Sequence, residues 1–130
     1  MTYFDTCLTY LLVEIKKPEA FDLRDFCEKL SLDYDLVENF STDEYIELGR
    51  NEFFDMDINV MLRETLADLF GKEDILVNLA EKYKLEYTLE RVPLIPKDEV
   101  SRQMRLSLDR DIIEFLYKTN CRDDLDYFVL

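Results

Sequence analysis

The sequence predicts an α+β fold. It calls for a largely antiparallel sheet covered by helices, with a ferredoxin-like βαββαβ core extended by a C-terminal helix and strand. Three observations carry that expectation. Stretches that alternate with period two are interleaved with stretches of helical period. The strand-like stretches alternate apolar with polar residues instead of running apolar throughout, as antiparallel strands with one solvated face do. Only two Gly and three Pro occur, which leaves little room for long loops. At 130 residues the chain is read as a single domain, 1–130.

The elements follow in order. Residues 3–15 are β-rich, with Cys7, Leu11, Val13 and Ile15 on one face and Thr6, Tyr10 and Glu14 on the other. Lys16-Lys17-Pro18 ends that strand. Asp22 is a good helix N-cap, Asp25 favours the positive end of the helix dipole, and Phe21 is placed to staple onto Phe26. Phe26, Cys27 and Leu30 form the buried stripe. Strand-like pieces follow near Leu36–Phe40 and Tyr45–Leu48, with a turn around Gly49–Asn51. From Asn59, read as a cap, the period becomes helical through Leu62, Leu66, Leu69 and Phe70, and Gly71 serves as terminator. A second helix runs through Ile75, Leu76, Leu79, Ala80 and Tyr83. Leu85–Val92 alternates as a strand, and Pro93 and Pro96 bracket a break. A helix starting near Ser107 or Asp109 buries Ile112, Ile113, Phe115 and Leu116, and Asp124–Leu130 reads as the last strand.

Charge is the strongest functional clue. The chain has 30 Asp and Glu against 16 Lys and Arg, a net charge of -14. Nine carboxylates lie between positions 33 and 57: Asp33, Asp35, Glu38, Asp43, Glu44, Glu47, Glu52, Asp55 and Asp57. Arg50 is the only basic residue among them, and Tyr34, Phe40, Tyr45, Phe53 and Phe54 are interleaved. A field that concentrated speeds encounter with a basic partner and discourages nucleic acid or an anionic membrane. Arg91, Lys97, Arg102, Arg105 and Arg110 cluster later, which implies a polarised molecule. A charge run can also serve solubility alone. The 48% apolar content and the aromatic residues (Phe 9, Tyr 8) exclude a disordered acidic tail. No apolar run reaches membrane-spanning length. The first residues lack a secretory pattern, and three cysteines without CxxC spacing fit a reducing compartment, so a cytoplasmic protein is expected.

Catalytic chemistry finds little purchase. With no histidine, the commonest general base, the Ser–His and Cys–His pairs and every His-containing zinc site are excluded. Three cysteines are one short of an all-thiolate zinc site. Neither GxxxxGK[ST] nor GxGxxG occurs. Asp55-Met-Asp57-Ile-Asn59 imitates the start of a calcium loop, but the sixth position is Val60 instead of Gly and the twelfth is Leu66 instead of Glu. Cys7 and Cys27 fall on apolar faces, and Arg122 stands next to Cys121, where it could lower the thiol pKa slightly.

The segment from Leu106 to Tyr127 (LSLDRDIIEFLYKTNCRDDLDY) resembles the ending of a bacterial family known as domain of unknown function 4279. In that family a capped helix, a short turn and a closing strand follow one another. Leu108, Ile112, Ile113, Phe115 and Leu116 match the helix, and Asp124, Asp126 and Tyr127 match the strand. Phe21-Asp22 and Leu30 are similar to the family's first helix. Asn120 stands where the family has a glycine and can also adopt the left-handed conformation. The resemblance implies an α+β fold in a bacterial or phage setting and brings no catalytic residues or cofactors.

The leading expectation is therefore a non-enzymatic acidic binding protein, of the immunity or nucleic-acid-mimicking kind, that inhibits a basic partner such as a nuclease or toxin. The expected binding residues are Asp33, Asp35, Glu38, Asp43, Glu44, Tyr45, Glu47, Glu52, Phe53, Phe54, Asp55 and Asp57, with no cofactor, metal, nucleic acid or membrane. The alternatives are a module that dimerises through an exposed strand edge and a hydrolase built on a carboxylate pair.

Overall fold

In a computed structural model the described residues are 6–54, 57–95, 108–125 and 128–129. Strand β1 (Thr6–Ile15) leads through a short 3-10 turn to helices α1 (Leu23–Leu30) and α2 (Tyr34–Asn39). Strand β2 (Tyr45–Phe54) follows, then α3 (Ile58–Leu66), α4 (Glu73–Tyr83) and β3 (Leu85–Ile95). Helix α5 (Arg110–Lys118) precedes two short strands, β4 (Arg122–Leu125) and β5 (Phe128–Val129). The sheet order is β2-β1-β3-β4, and β5 pairs farther along β3. β1 is antiparallel to β2 and β3, whereas β4 and β5 run parallel to β3.

The fold is thus α+β with a mixed open sheet in which the antiparallel ladders are the longest. The ferredoxin-like arrangement is not established. That fold alternates strand directions throughout, but here α5 crosses over and returns the chain beside β3 in the same direction. Three local expectations are also corrected. The Leu36–Phe40 piece is helix α2, because the Asp33 side chain accepts from the N–H groups of Asp35 (3.0 Å) and Leu36 (3.5 Å) and nucleates a turn. α3 is capped by Asp57, not Asn59, through the N–H groups of Asn59 (2.8 Å) and Val60 (3.4 Å). Asn59 instead accepts from the N–H of Asp109 at 2.7 Å, tying α3 to the start of α5. Finally, the chain does not turn at Gly49–Asn51 but passes straight through as one strand with a bulge.

That bulge has a definite geometry. Thr9 pairs with Asn51 and Leu11 with Leu48, so two β2 residues stand opposite Tyr10. Gly49 adopts φ 63°, the left-handed conformation typical of such bulges. A side chain there would collide with the Thr65 carbonyl of α3, which lies directly over it. The Thr65 hydroxyl hydrogen-bonds that of Thr9 (2.5 Å), and the Asn51 amide donates to the Gly49 carbonyl (3.0 Å). Thr9 and Thr65 are both buried, so this pairing satisfies two hydroxyls that would otherwise be costly to desolvate.

Alternation sorts the strands onto two faces. Leu11, Val13, Ile15, Ile46, Leu48, Leu85, Tyr87 and Leu89 point into a single core cluster, where they meet Phe26 and Leu30 of α1, Leu62 and Leu66 of α3, Leu76 of α4 and Ile112 of α5. Phe21 stacks edge-to-face on Phe26 (5.7 Å) and Tyr83 (5.2 Å), as the staple pattern anticipates. The other face, carrying Leu8, Tyr10, Leu12 and Glu14 on β1, has no described helix over it. Asp22 caps α1, and Asn120 ends α5 at φ 54°. Ile113, expected in the core, is half exposed because α5 turns only Ile112, Phe115 and Leu116 inward.

Two predictions follow from these contacts. Gly71 also has positive φ, but an added Cβ would meet nothing there. Gly71→Ala should cost about 1–2 kcal/mol, the conformational penalty alone. Gly49→Ala should cost about 2–4 kcal/mol, because a collision is added. Urea melts of both variants test the ranking, and equal costs would refute the close approach. The second concerns Asp25, which receives the Tyr83 hydroxyl (2.6 Å) and the Lys82 ammonium (3.0 Å). These bonds, the Tyr83 one first, hold the Asp25 carboxyl below its ordinary range. A depressed carboxyl stabilises the fold at neutral pH and loses that contribution as pH falls through its folded-state pKa. The stability gap between wild type and Asp25→Asn should therefore narrow below pH ~3.9. A gap that stays constant into strong acid would exclude the linkage.

Candidate functional site

The acidic stretch becomes one end of the molecule, formed by α2, the loop after it, and edge strand β2. Asp33 is spent partly on capping α2, and Asp57 on capping α3. Asp35 and Glu38 stand exposed on α2, Asp43 and Glu44 on the loop, and Glu52 on β2. Glu47 is the one drawn into an ion pair, accepting from Arg50 at 2.6 Å. Among the described residues no cation lies within salt-bridge distance of Asp33, Asp35, Glu38, Asp43, Glu44 or Glu52. The side chains of Phe53 and Phe54, and all of Asp55, lie outside the described residues.

Apolar side chains are exposed at the same end. Tyr45 is 39% exposed, and so are two residues of the same stretch that strand-based reasoning missed, Leu36 at 62% and Phe40 at 47%. Assigned to a strand, Leu36 and Phe40 looked unremarkable. Once α2 forms, Leu36 and the C-cap residue Phe40 lie one turn apart on either side of buried Val37, and the Asp33 cap was the available signal. Leu36 and Phe40 border a groove of about 340 Å³ that runs between α2, the β2 bulge and the end of α3. Its floor includes Val37, Leu48 and Leu69, and its rim carries Asp33, Glu47 and Asp68.

Arg50 links this groove to the uncovered face of the sheet. Its guanidinium lies 6.0 Å from the Phe40 ring centroid and 5.7 Å from that of Tyr10. Tyr10 in turn reports on charge gathered from three strands. Its hydroxyl pKa is raised, first by burial and then by the negative charges of Glu90 on β3 and Glu47 on β2. Glu14 and Glu86 add further carboxylates to this face as register partners, bridged by Lys16 at 2.9 and 3.6 Å. The sequence reading confined the acidic surface to residues 33–57. Strand pairing brings in Glu14, Glu86 and Glu90, a contribution that only the register reveals.

The basic counterpart is smaller than the sequence implied. Arg91 is buried, not a surface cation, and forks onto Asp123 at 3.0 and 2.8 Å, which pins β4 to β3. Arg110 is exposed and paired with Glu114 on its own helix. Lys97, Arg102 and Arg105 lie outside the described residues. Two of the cysteines are held as thiols. Burial pushes the Cys27 thiol up to about 11 and the Cys121 thiol up to about 12, so the expected lowering of Cys121 by Arg122 is reversed. Among the described residues no group of three or more Cys, Asp or Glu is placed to hold a metal ion, and no helix is long and apolar enough to cross a membrane.

Neither a family model, a curated protein nor a solved structure matches this chain. The residues themselves therefore carry the functional argument.

The convergence on Tyr10 can be measured. A neighbouring negative charge disfavours the phenolate, so removing one must lower the pKa. Glu90→Gln and Glu47→Gln should each bring the Tyr10 titration down toward its ordinary value near 10. NMR titration of the tyrosine ring carbons checks this, and an unchanged Tyr10 in both variants would mean that the strands do not pool their charge.

Proposed function

We propose that this protein is a non-enzymatic acidic binding protein that inhibits a basic partner, in the manner of an immunity protein or a nucleic-acid mimic. One observation carries the reading. Exposed Leu36, Phe40 and Tyr45 lie in the same stretch of chain as carboxylates that have no ion-pair partner among the described residues. Solubility alone would call for the charges but not for apolar groups held among them. Unneutralised carboxylates steer a cationic surface into contact, and apolar groups within such a field supply the desolvated contacts that hold it. The likeness to domain of unknown function 4279 belongs with this proposal, as does a cytoplasmic setting, since both fit a bacterial or phage inhibitor acting inside the cell.

The test is inhibition of DNA cleavage by a panel of purified cationic endonucleases at low and high salt. Inhibition of at least one enzyme, weakening steeply with salt, is expected. The triple variant Asp43→Lys, Glu44→Lys, Glu52→Lys touches no capping residue and no ion pair. It should slow association about tenfold or more while the circular dichroism spectrum is retained. Failure to inhibit any enzyme at low salt, or inhibition indifferent to the triple reversal, would sink the proposal.

A further inference from the structure

We infer that the groove between α2, the β2 bulge and the end of α3 receives a cationic amphipathic helix of the partner, with an apolar side chain seated against Leu36 and Leu48 and a lysine or arginine beside Asp33 and Asp68. This rests on the reading that the acidic end engages a basic protein. It adds which part of that end is the socket and what kind of element fits it.

Three observations select the occupant. The first is shape and chemistry. About 340 Å³ of concave space has an apolar floor and a carboxylate rim, and the apolar wall formed by Leu36 and Phe40 is largely exposed. Apolar surface at that exposure is unfavourable until something covers it, and the rim selects a cover that brings positive charge. The second is the state of the strand edge. β2 is an edge strand, and a partner strand would need its free backbone groups. Along the groove several are already engaged. The Glu47 N–H donates to the Phe40 carbonyl (3.0 Å), the Tyr45 carbonyl accepts from the Thr42 N–H (2.8 Å), and the Gly49 carbonyl accepts from Asn51 (3.0 Å). The bulge at Gly49 further interrupts the register that an added strand would follow. Strand addition, and with it edge-to-edge dimerisation at this segment, is therefore disfavoured, and side-chain insertion is left. The third is Arg50. Its charge is occupied by Glu47, and its guanidinium lies near the Phe40 ring, so the one cation lining the groove among the described residues braces its wall instead of repelling a basic visitor.

The probe is a synthetic helical peptide of leucine and lysine, set against a control of equal charge in which serine replaces leucine. The full chain, labelled at its methyl groups, is titrated with each and followed by NMR. The leucine–lysine peptide should shift the methyls of Leu36, Val37, Leu48 and Leu69 saturably. Leu36→Asn, at a site exposed enough to tolerate it, should weaken that binding about tenfold. Asp68→Asn should weaken it by a smaller factor that vanishes at high salt. If the serine control binds equally well, or if shifts appear only around Tyr10 on the sheet face, the groove is not the socket, although the acidic-surface reading survives. If neither peptide binds at low salt, both readings fall together.

Discussion

At the crossing of α3 over the β1–β2 ladder, the Thr65 carbonyl lies so close above Gly49 that no side chain could stand there. Much of the architecture depends on this contact. It needs a glycine that can hold positive φ, and that conformation produces the bulge. The bulge adds one residue to β2, so side chains before and after it remain in phase with β1 on both sides: Ile46 and Leu48 face the core, while Glu47 and Glu52 pair with Leu12 and Leu8 on the other face. Without the extra residue, one half of β2 would turn its core side chains to solvent. The Thr9–Thr65 hydrogen bond then fixes the helix over the sheet at that point. The same bulge shapes the wall of the groove, so the packing constraint and the candidate site share one piece of backbone.

The distribution of charge follows from what the core leaves available. The helices cover one face of the sheet, and each strand must place its alternate residues on the other. Those positions carry Glu14, Glu47, Glu52, Glu86 and Glu90 around Tyr10, and β1 at the centre forces carboxylates from β2 and β3 into a common field. Several cations among the described residues are committed away from this face. Arg63 forks onto Asp109 (2.5 Å) and Asp111 (3.0 Å) to join α3 to α5, Lys72 donates to the Leu30 carbonyl (2.5 Å) at the end of α1, and Arg91 holds β4.

The parts legible in the sequence were those in which local chemistry and tertiary packing agree. β1, α1, α4, the first part of β3 and most of α5 were readable because their apolar spacing matches the face they bury, and the Asp22 cap with the Phe21–Phe26 staple acts within a few residues. β3 runs on through Pro93, where a break was expected, and α5 turns Ile113 outward. The region from position 33 to 59 was misread because its signals conflict. Asp33 starts a helix in a segment rich in β-formers, and Gly49 looks like a turn although α3, far along the chain, makes it a bulge. Of the expected site residues, Asp33 and Glu47 line the groove beside α2, while Tyr45 stands outside it on the uncovered face of the sheet. Leu36, Phe40 and Asp68 were missed because their significance depends on a helix not assigned and a contact not visible along the chain.

The acidic residues of that region do not all play one part. Asp33 and Asp57 accept backbone hydrogen bonds at helix starts, where a negative charge is stabilised by the N-terminal N–H groups. Glu47 fixes Arg50, and through it the walls around Phe40 and Tyr10. These three have a role in the fold itself, whatever the protein binds. Asp35, Asp43, Glu44 and Glu52 accept no side-chain or backbone donor among the described residues, and folding gives no reason for four carboxylates there when like charges repel. A structural role explains three of the nine carboxylates of the acidic stretch. Asp35, Asp43, Glu44 and Glu52 are presented on a surface built around carboxylates whose positions the fold itself has fixed.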